Sequence, residues 1–111
     1  MSHETRPLNR LEQTILARKD APSEKSYTTQ LLEGGIEKIG GKIIEEAAEV
    51  VEAAGEPGEE GCQHTIREAG DLLYHLLVLM ACRGVSLAEV EAELARREGV
   101  SGLEEKASRK S

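Results

Sequence analysis

Two acidic patterns in this chain have the residue types and spacing to do chemistry: Glu45-Glu46-x-x-Glu49 and, further on, Glu68-x-x-Asp71. Acids one, three and four positions apart share a face of an α-helix, because one turn takes about 3.6 residues. With Glu49 at the origin of a helical wheel, Lys42, Glu45, Glu46 and Glu52 fall within roughly 60° of it, and the Ile and Val positions lie mostly opposite. Glu68 and Asp71 lie about 60° apart, with His64 and His75 on the same face. Two such faces brought together make a cluster of carboxylates with few ways to stay ionised. A hard divalent cation resolves that conflict. Mg²⁺ favours carboxylate and water oxygens, and its usual partner in a protein is a phosphate-bearing substrate. The implied chemistry is magnesium-dependent and acts on a nucleotide.

Blander readings stand beside that one. A solvated face explains a Glu-rich helix taken alone, and an ion pair with Arg67 or Lys42 would satisfy the second pattern. A metal shared between the two helices accounts for both acid pairs at once. Asp71 directly precedes an apolar run from Leu72 to Cys82, which places it near the core, where an unpartnered carboxylate is expensive. Zinc is not indicated, since His64 and His75 stand too far apart for a ligand pair and the cysteines are isolated. Both histidines fit structural roles better. Neither GxxxxGK[ST] nor GxGxxG is present, so no glycine loop is expected to hold phosphate.

The elements that must position these acids are helical. Leu8, Leu11, Ile15 and Leu16 predict a first helix from Leu8 to Lys19, broken by Pro22. Ser26 is an expected N-cap for a short helix through Leu32, which Gly34-Gly35 ends. Ile36, Ile39, Ile43, Ala47, Val50, Val51 and Ala54 carry a long third helix, and Gly40-Gly41 within it would let another backbone approach closely. After a turn at Gly55-Glu56-Pro57-Gly58, a fourth helix runs from Glu59 or Glu60 to Cys82. From Leu72 it is apolar on every side, the pattern of a helix buried all round. Arg83-Gly84 stops it, and Ser86 caps a last helix built on Leu87, Val90 and Leu94. No segment alternates with period two, so the class is all-α, with about five helices. Residues 1–98 form one domain, and the Glu-, Lys- and Ser-rich stretch 99–111 is expected to be a disordered tail.

Composition narrows the rest. A chain of 111 residues supports one core, drawn here from Leu, Ile, Val and Ala, with no Phe or Trp and only Tyr27 and Tyr74 as aromatics. Fourteen Lys and Arg against twenty-one Asp and Glu leave a net charge of −7, which argues against nucleic acid as a partner. Cys62 and Cys82 read as buried free thiols in a reducing compartment. The N-terminus has no signal-peptide pattern, and the apolar run is about half of a bilayer-spanning helix, so a soluble, cytoplasmic protein without a membrane partner is expected. One helix wrapped in apolar side chains needs more cover than so short a chain supplies. A homodimer sharing its long helices in one bundle is therefore expected.

Taken in order, Glu46-x-x-Glu49, eighteen intervening residues and Glu68-x-x-Asp71 resemble the ExxE–ExxD signature of the all-α nucleoside-triphosphate pyrophosphohydrolase superfamily, which includes the MazG proteins. Within it the chain is most similar to the phosphoribosyl-ATP pyrophosphatase family. The supporting strings are Ser26-Tyr27-Thr28, Leu31-Leu32, Lys42-x-x-Glu45-Glu46-Ala47, Asp71-Leu72-Leu73-Tyr74-His75-Leu76-Leu77-Val78-Leu79 and Arg83-Gly84-Val85-Ser86-Leu87, spread over roughly Leu8 to Arg97. The resemblance implies a MazG-like helical bundle completed by homodimerisation. It implies Mg²⁺-dependent hydrolysis of phosphoribosyl-ATP to phosphoribosyl-AMP and pyrophosphate, the second step of histidine biosynthesis.

Carried over residue by residue, the resemblance makes Glu46, Glu49, Glu68 and Asp71 the metal ligands. Lys42, Arg18 and Lys19 match basic positions that would meet the phosphates or the phosphoribosyl group. Glu45, adjoining the ligands without belonging to the core pattern, is the candidate catalytic base. Arg67 departs from the pattern, standing where family members often place another acid. Two rival functions share parts of this description: a house-cleaning pyrophosphohydrolase for free (d)NTPs, and a non-catalytic helical dimerisation protein.

Overall fold

The computed structural model describes residues 6–99 and consists there of helices and their connections: α1 (Pro7–Asp20), α2 (Tyr27–Ala54), α3 (Gly58–Arg83) and α4 (Leu87–Arg96). The expected tail lies, Gly99 apart, outside the described residues. The all-α class and the helix order are those predicted; four helices replace about five. The difference is one residue wide. Gly35 adopts φ 76° and ψ −171° inside α2, so the hydrogen-bonded run continues across a kink between two arms. A side chain rarely tolerates that backbone, and glycine is the residue that takes it without cost.

The helix ends follow from local chemistry. Ser26 accepts a hydrogen bond from the Thr29 N–H and starts α2. Ser86 and Glu89 form a reciprocal capping box at the start of α4, satisfying backbone donors that a helix N-terminus leaves open. Gly84, at φ 80°, ends α3. Two long-range contacts then fasten α1 to the far end of the molecule. The Glu12 carboxylate accepts from the Leu87 N–H at 2.7 Å, placing negative charge at the N-terminus of α4. Lys19 Nζ donates to the Ala81 carbonyl at 2.6 Å, near the C-terminus of α3.

The frame is an antiparallel pair, α2 against α3, closed by a three-residue turn at Gly55–Pro57. A Cβ on Gly61 would lie 2.1 Å from the Glu56 carbonyl oxygen, so the turn can fold back this tightly only with glycine there. Ile15, Leu31, Ile39, Leu77, Val78, Ala81 and Leu87 form the core, gathered mostly at the end where α1 packs on the pair. Three expectations change. Gly40 and Gly41 have nothing close to where a Cβ would sit, so among the described residues no backbone uses the space they leave. Cys62 is exposed, because it lies on the polar first half of α3; both thiols are free. The apolar half of α3 is not covered all round: Leu73 and Leu76 are exposed and, with Leu8, Val90 and Leu94, line an apolar groove of about 260 Å³.

Candidate metal centre

The acids come from the unkinked arm of α2 and the first half of α3. Ligand oxygens of Glu46, Glu68 and Asp71 all lie within 4.8 Å of one another. Glu49, one turn beyond Glu46, faces Glu68 across the helix pair. Burial, and then the negative charges of Glu49, Asp71 and Glu68, push the Glu46 carboxyl above its ordinary value. Glu68 is raised for the same first reason, burial, followed by the close approach and charge of Glu49 and the charge of Asp71.

One oxygen on each of Glu46 and Glu68 is buried and has no hydrogen-bond partner. A buried carboxylate oxygen left unpaired is costly, and native proteins seldom retain one without a reason. The donor set is all oxygen, clustered, short of positive charge and short of hydrogen-bond donors. It fits a hard divalent cation and does not fit zinc.

Asp71 differs from expectation in one respect: it is exposed at the mouth of the cluster. The next buried residue of α3 after it is His75. Neither basic candidate neutralises the group. Lys42 pairs with Glu45 at 3.7 Å, and the Glu45 side chain is 65% exposed, so both stand at the rim. Arg67 is exposed and lines a shallow pocket with Glu56, Glu59, Glu60, Gln63 and His64. His64 takes Glu56 as its partner at 2.8 Å; that bond, and next the charges of Glu56 and Glu68, hold its imidazole above the usual value. Its other nitrogen is 4.0 Å from Glu68.

Arg18 and Lys19 are not brought to the acids of the same chain. They line a separate pocket of about 240 Å³ with Thr29, Leu32, Glu33 and Cys82. Cys82 lies eleven residues beyond Asp71 on α3, about 16 Å along the axis at 1.5 Å per residue.

Between these two stations lie residues whose role the sequence did not disclose. Tyr27 Oη is 3.2 Å from His75 Nε2, and Thr28 Oγ1 hydrogen-bonds the Tyr74 hydroxyl. His75 Nδ1 contacts the Asp71 backbone carbonyl at 2.9 Å. A carbonyl only accepts, so Nδ1 carries the proton, and in the neutral ring Nε2 accepts from Tyr27. The structural role expected for His75 holds: it ties the start of α2 to the turn that presents Asp71.

Residues 8–98 match the phosphoribosyl-ATP pyrophosphohydrolase family. The chain belongs to that family. It is 63% identical over 103 residues to the phosphoribosyl-ATP pyrophosphatase of Rhodopirellula baltica, covering 93% of this chain and 86% of that protein. Identity to the phosphoribosyl-ATP pyrophosphatase of Paracoccus denitrificans is 54% over 104 residues, covering 93% of each. For that of Dinoroseobacter shibae it is 53% over 103 residues, covering 92% of this chain and 97% of that protein. Family membership and the convergent acids agree with the resemblance drawn from Glu46-x-x-Glu49 and Glu68-x-x-Asp71. No single described helix is long and apolar enough to cross a membrane.

Proposed function

We propose that this protein hydrolyses phosphoribosyl-ATP to phosphoribosyl-AMP and pyrophosphate, with Mg²⁺ held by Glu46, Glu49, Glu68 and Asp71. The observation that carries the reading is the convergence of acids from two helices with buried, unpartnered oxygens on Glu46 and Glu68, in a chain of this family. A bound Mg²⁺ would supply charge neutralisation of the polyphosphate and a polarised water. The protein's own part is to hold the four carboxylates together against their repulsion, through the antiparallel packing of α2 on α3.

Glu45, exposed and one residue from the proposed ligands, would accept a proton from the attacking water. Lys42, one turn before Glu46, would meet a phosphate of the substrate. Arg18 and Lys19 would take the phosphate of the phosphoribosyl group. The apolar groove of Leu8, Leu73, Leu76, Val90 and Leu94 supports a homodimer, since so contiguous an apolar surface is unusual on a monomer. We place the reaction in the cytoplasm.

The deciding assay is pyrophosphate release with Mg²⁺ from phosphoribosyl-ATP, ATP and a panel of dNTPs. Release from phosphoribosyl-ATP alone is expected; release from the free nucleotides instead would move the protein to nucleotide house-cleaning. Inactivity of folded protein on all of them would leave a helical dimerisation role. Glu45→Gln should slow turnover with Mg²⁺ binding retained; near-normal turnover in that variant removes Glu45 as the base. Sedimentation at the mass of one chain at micromolar concentration would count against the dimer.

A further inference from the structure

The chain has only two aromatic side chains, and the fold puts both beside the acid cluster. Tyr27 and Tyr74 come from different helices, yet their rings lie 6.2 Å apart at 22°, with the His75 ring edge-on to each. Tyr74 and His75 are partly or wholly covered, whereas Tyr27 is 45% exposed. Its hydroxyl is fixed on His75 Nε2, and that ring is fixed in turn on the Asp71 carbonyl. An exposed tyrosine ordinarily turns freely in solvent. This one is a rigid ring, supported from behind and fastened through one residue to the backbone of a candidate ligand.

Position along α3 gives the ring a purpose. Glu68 and Asp71 come first, His75 with Tyr27 about one turn later, and Cys82 with the Arg18–Lys19 pocket about two turns beyond that. Phosphoribosyl-ATP has a matching order, with a polyphosphate on one side of its purine and a phosphoribosyl group on the other. We propose that Tyr27 is the platform on which the purine of the substrate stacks, between the metal centre and the Arg18–Lys19 pocket. The inference rests on the activity proposed above and adds the residue that reads the base.

Stacking of a base on an aromatic ring contributes enough binding that losing the ring raises KM about tenfold. For Tyr27→Leu we expect that rise in KM for phosphoribosyl-ATP with kcat within about threefold of wild type. Tyr27→Phe keeps the ring and loses the His75 bond, and its KM should stay within about threefold of wild type. A purely structural anchor predicts the reverse for Tyr27→Phe, namely an effect as large as that of Tyr27→Leu. A second measurement does not depend on Tyr27→Leu folding. With Trp absent, Tyr74→Phe leaves Tyr27 as the only fluorophore of its kind, and phosphoribosyl-AMP should quench its emission saturably. An unchanged KM in folded Tyr27→Leu overturns the inference. So does emission that responds to protein concentration and not to nucleotide, which would place a second copy on the ring. Wild-type turnover of phosphoribosyl-ATP in the same assay separates the two levels: if it is absent, the activity and the inference fall together; if present, the base platform stands or falls alone.

Discussion

Carboxylates at the two ends of the molecule live under opposite conditions. On α4, Glu93 accepts from Arg96 at 2.8 and 2.9 Å and from Arg97 at 2.9 Å, and those bonds draw its carboxyl down to about 2. Glu89, bonded by the Ser86 backbone N–H and then its hydroxyl, is also lowered. Between α2 and α3, Glu46 and Glu68 are raised, first by burial and then by one another's neighbours, and each keeps an oxygen without a partner. The α4 acids are satisfied by the protein; under the proposed function, a bound cation would satisfy the α2–α3 acids. A fold that pairs its glutamates so completely in one place leaves them crowded in another, and the proposed metal site rests on that contrast.

The contrast is broken most severely by removing a proposed ligand. Asp71→Asn and Glu68→Gln should each lower turnover by at least ~100-fold, since even outer partners of a metal site cost 10–100-fold when lost. Mg²⁺ binding, followed by calorimetry, should disappear in parallel while the helical circular dichroism persists. Glu93→Gln, an equal change in charge on α4, should leave both activity and Mg²⁺ binding in place. If Asp71→Asn kept full turnover, the cluster would be a surface accident and the comparison would collapse.

The second effect is smaller and has the opposite sign. A carboxyl whose folded value is raised binds protons more readily in the native state than in the unfolded one, so its ionised form weighs against folding at neutral pH. Without metal, Glu68→Gln removes that burden, and its melting temperature in a chelator should exceed that of the wild type. Added Mg²⁺ should raise the wild-type midpoint and leave the variant where it was. In the chelator, the wild type should also gain stability as pH falls from neutral through the raised values toward 4.5. A variant that melts below the wild type in chelator would show these acids to be structural ion partners.

Much of this arrangement is written in local sequence. Ser26 and Ser86 announce helix starts because a hydroxyl satisfying its neighbour's N–H is a contact of three residues' range. The acid faces follow from helical periodicity alone, and Gly34-Gly35 marks a break that the structure renders as the kink at Gly35. What stayed hidden depends on partners far along the chain. Whether Asp71 faces core or solvent is decided by how α2 crosses α3, which an apolar run beginning at Leu72 does not encode. The bond between Tyr27 and His75 joins residues 48 positions apart, and neither residue type predicts it. Arg18 and Lys19 matched family positions in sequence, but only the packing of α1 shows that they serve a different end of α3 from the acids.

A third test sharpens the satisfied side of the comparison. Ser86→Ala removes the hydroxyl that accepts from Glu89 N–H and leaves the Glu89 carboxylate with one donor fewer. Loss of such a cap should cost about 1 kcal/mol in denaturant unfolding, with kcat unchanged, since α4 contributes nothing to the acid cluster. A comparable fall in activity would mean that α4 and the acid cluster are coupled.

The smallest effect is that of Glu93 on pH dependence. A carboxyl lowered from 4.5 to about 2 contributes its stability fully above the unfolded value and loses it as pH falls through that window. Its side chain and those of Arg96 and Arg97 are substantially exposed, so water and salt screen much of the gain. Glu93→Gln should therefore move the melting midpoint at pH 7 by no more than about two degrees. It should also flatten the wild-type loss of stability between pH 4.5 and about 2, a slope opposite to that of the metal-free acid cluster. Added salt should shrink the Glu93 contribution more than the chelator effect at Glu68, because ions screen the exposed ion pairs of Glu93 but not the burial that first raises Glu68. Equal salt sensitivity at both places would mean that the α2–α3 acids are as open to solvent as those on α4, and the distinction between paired and waiting carboxylates would lose its physical basis.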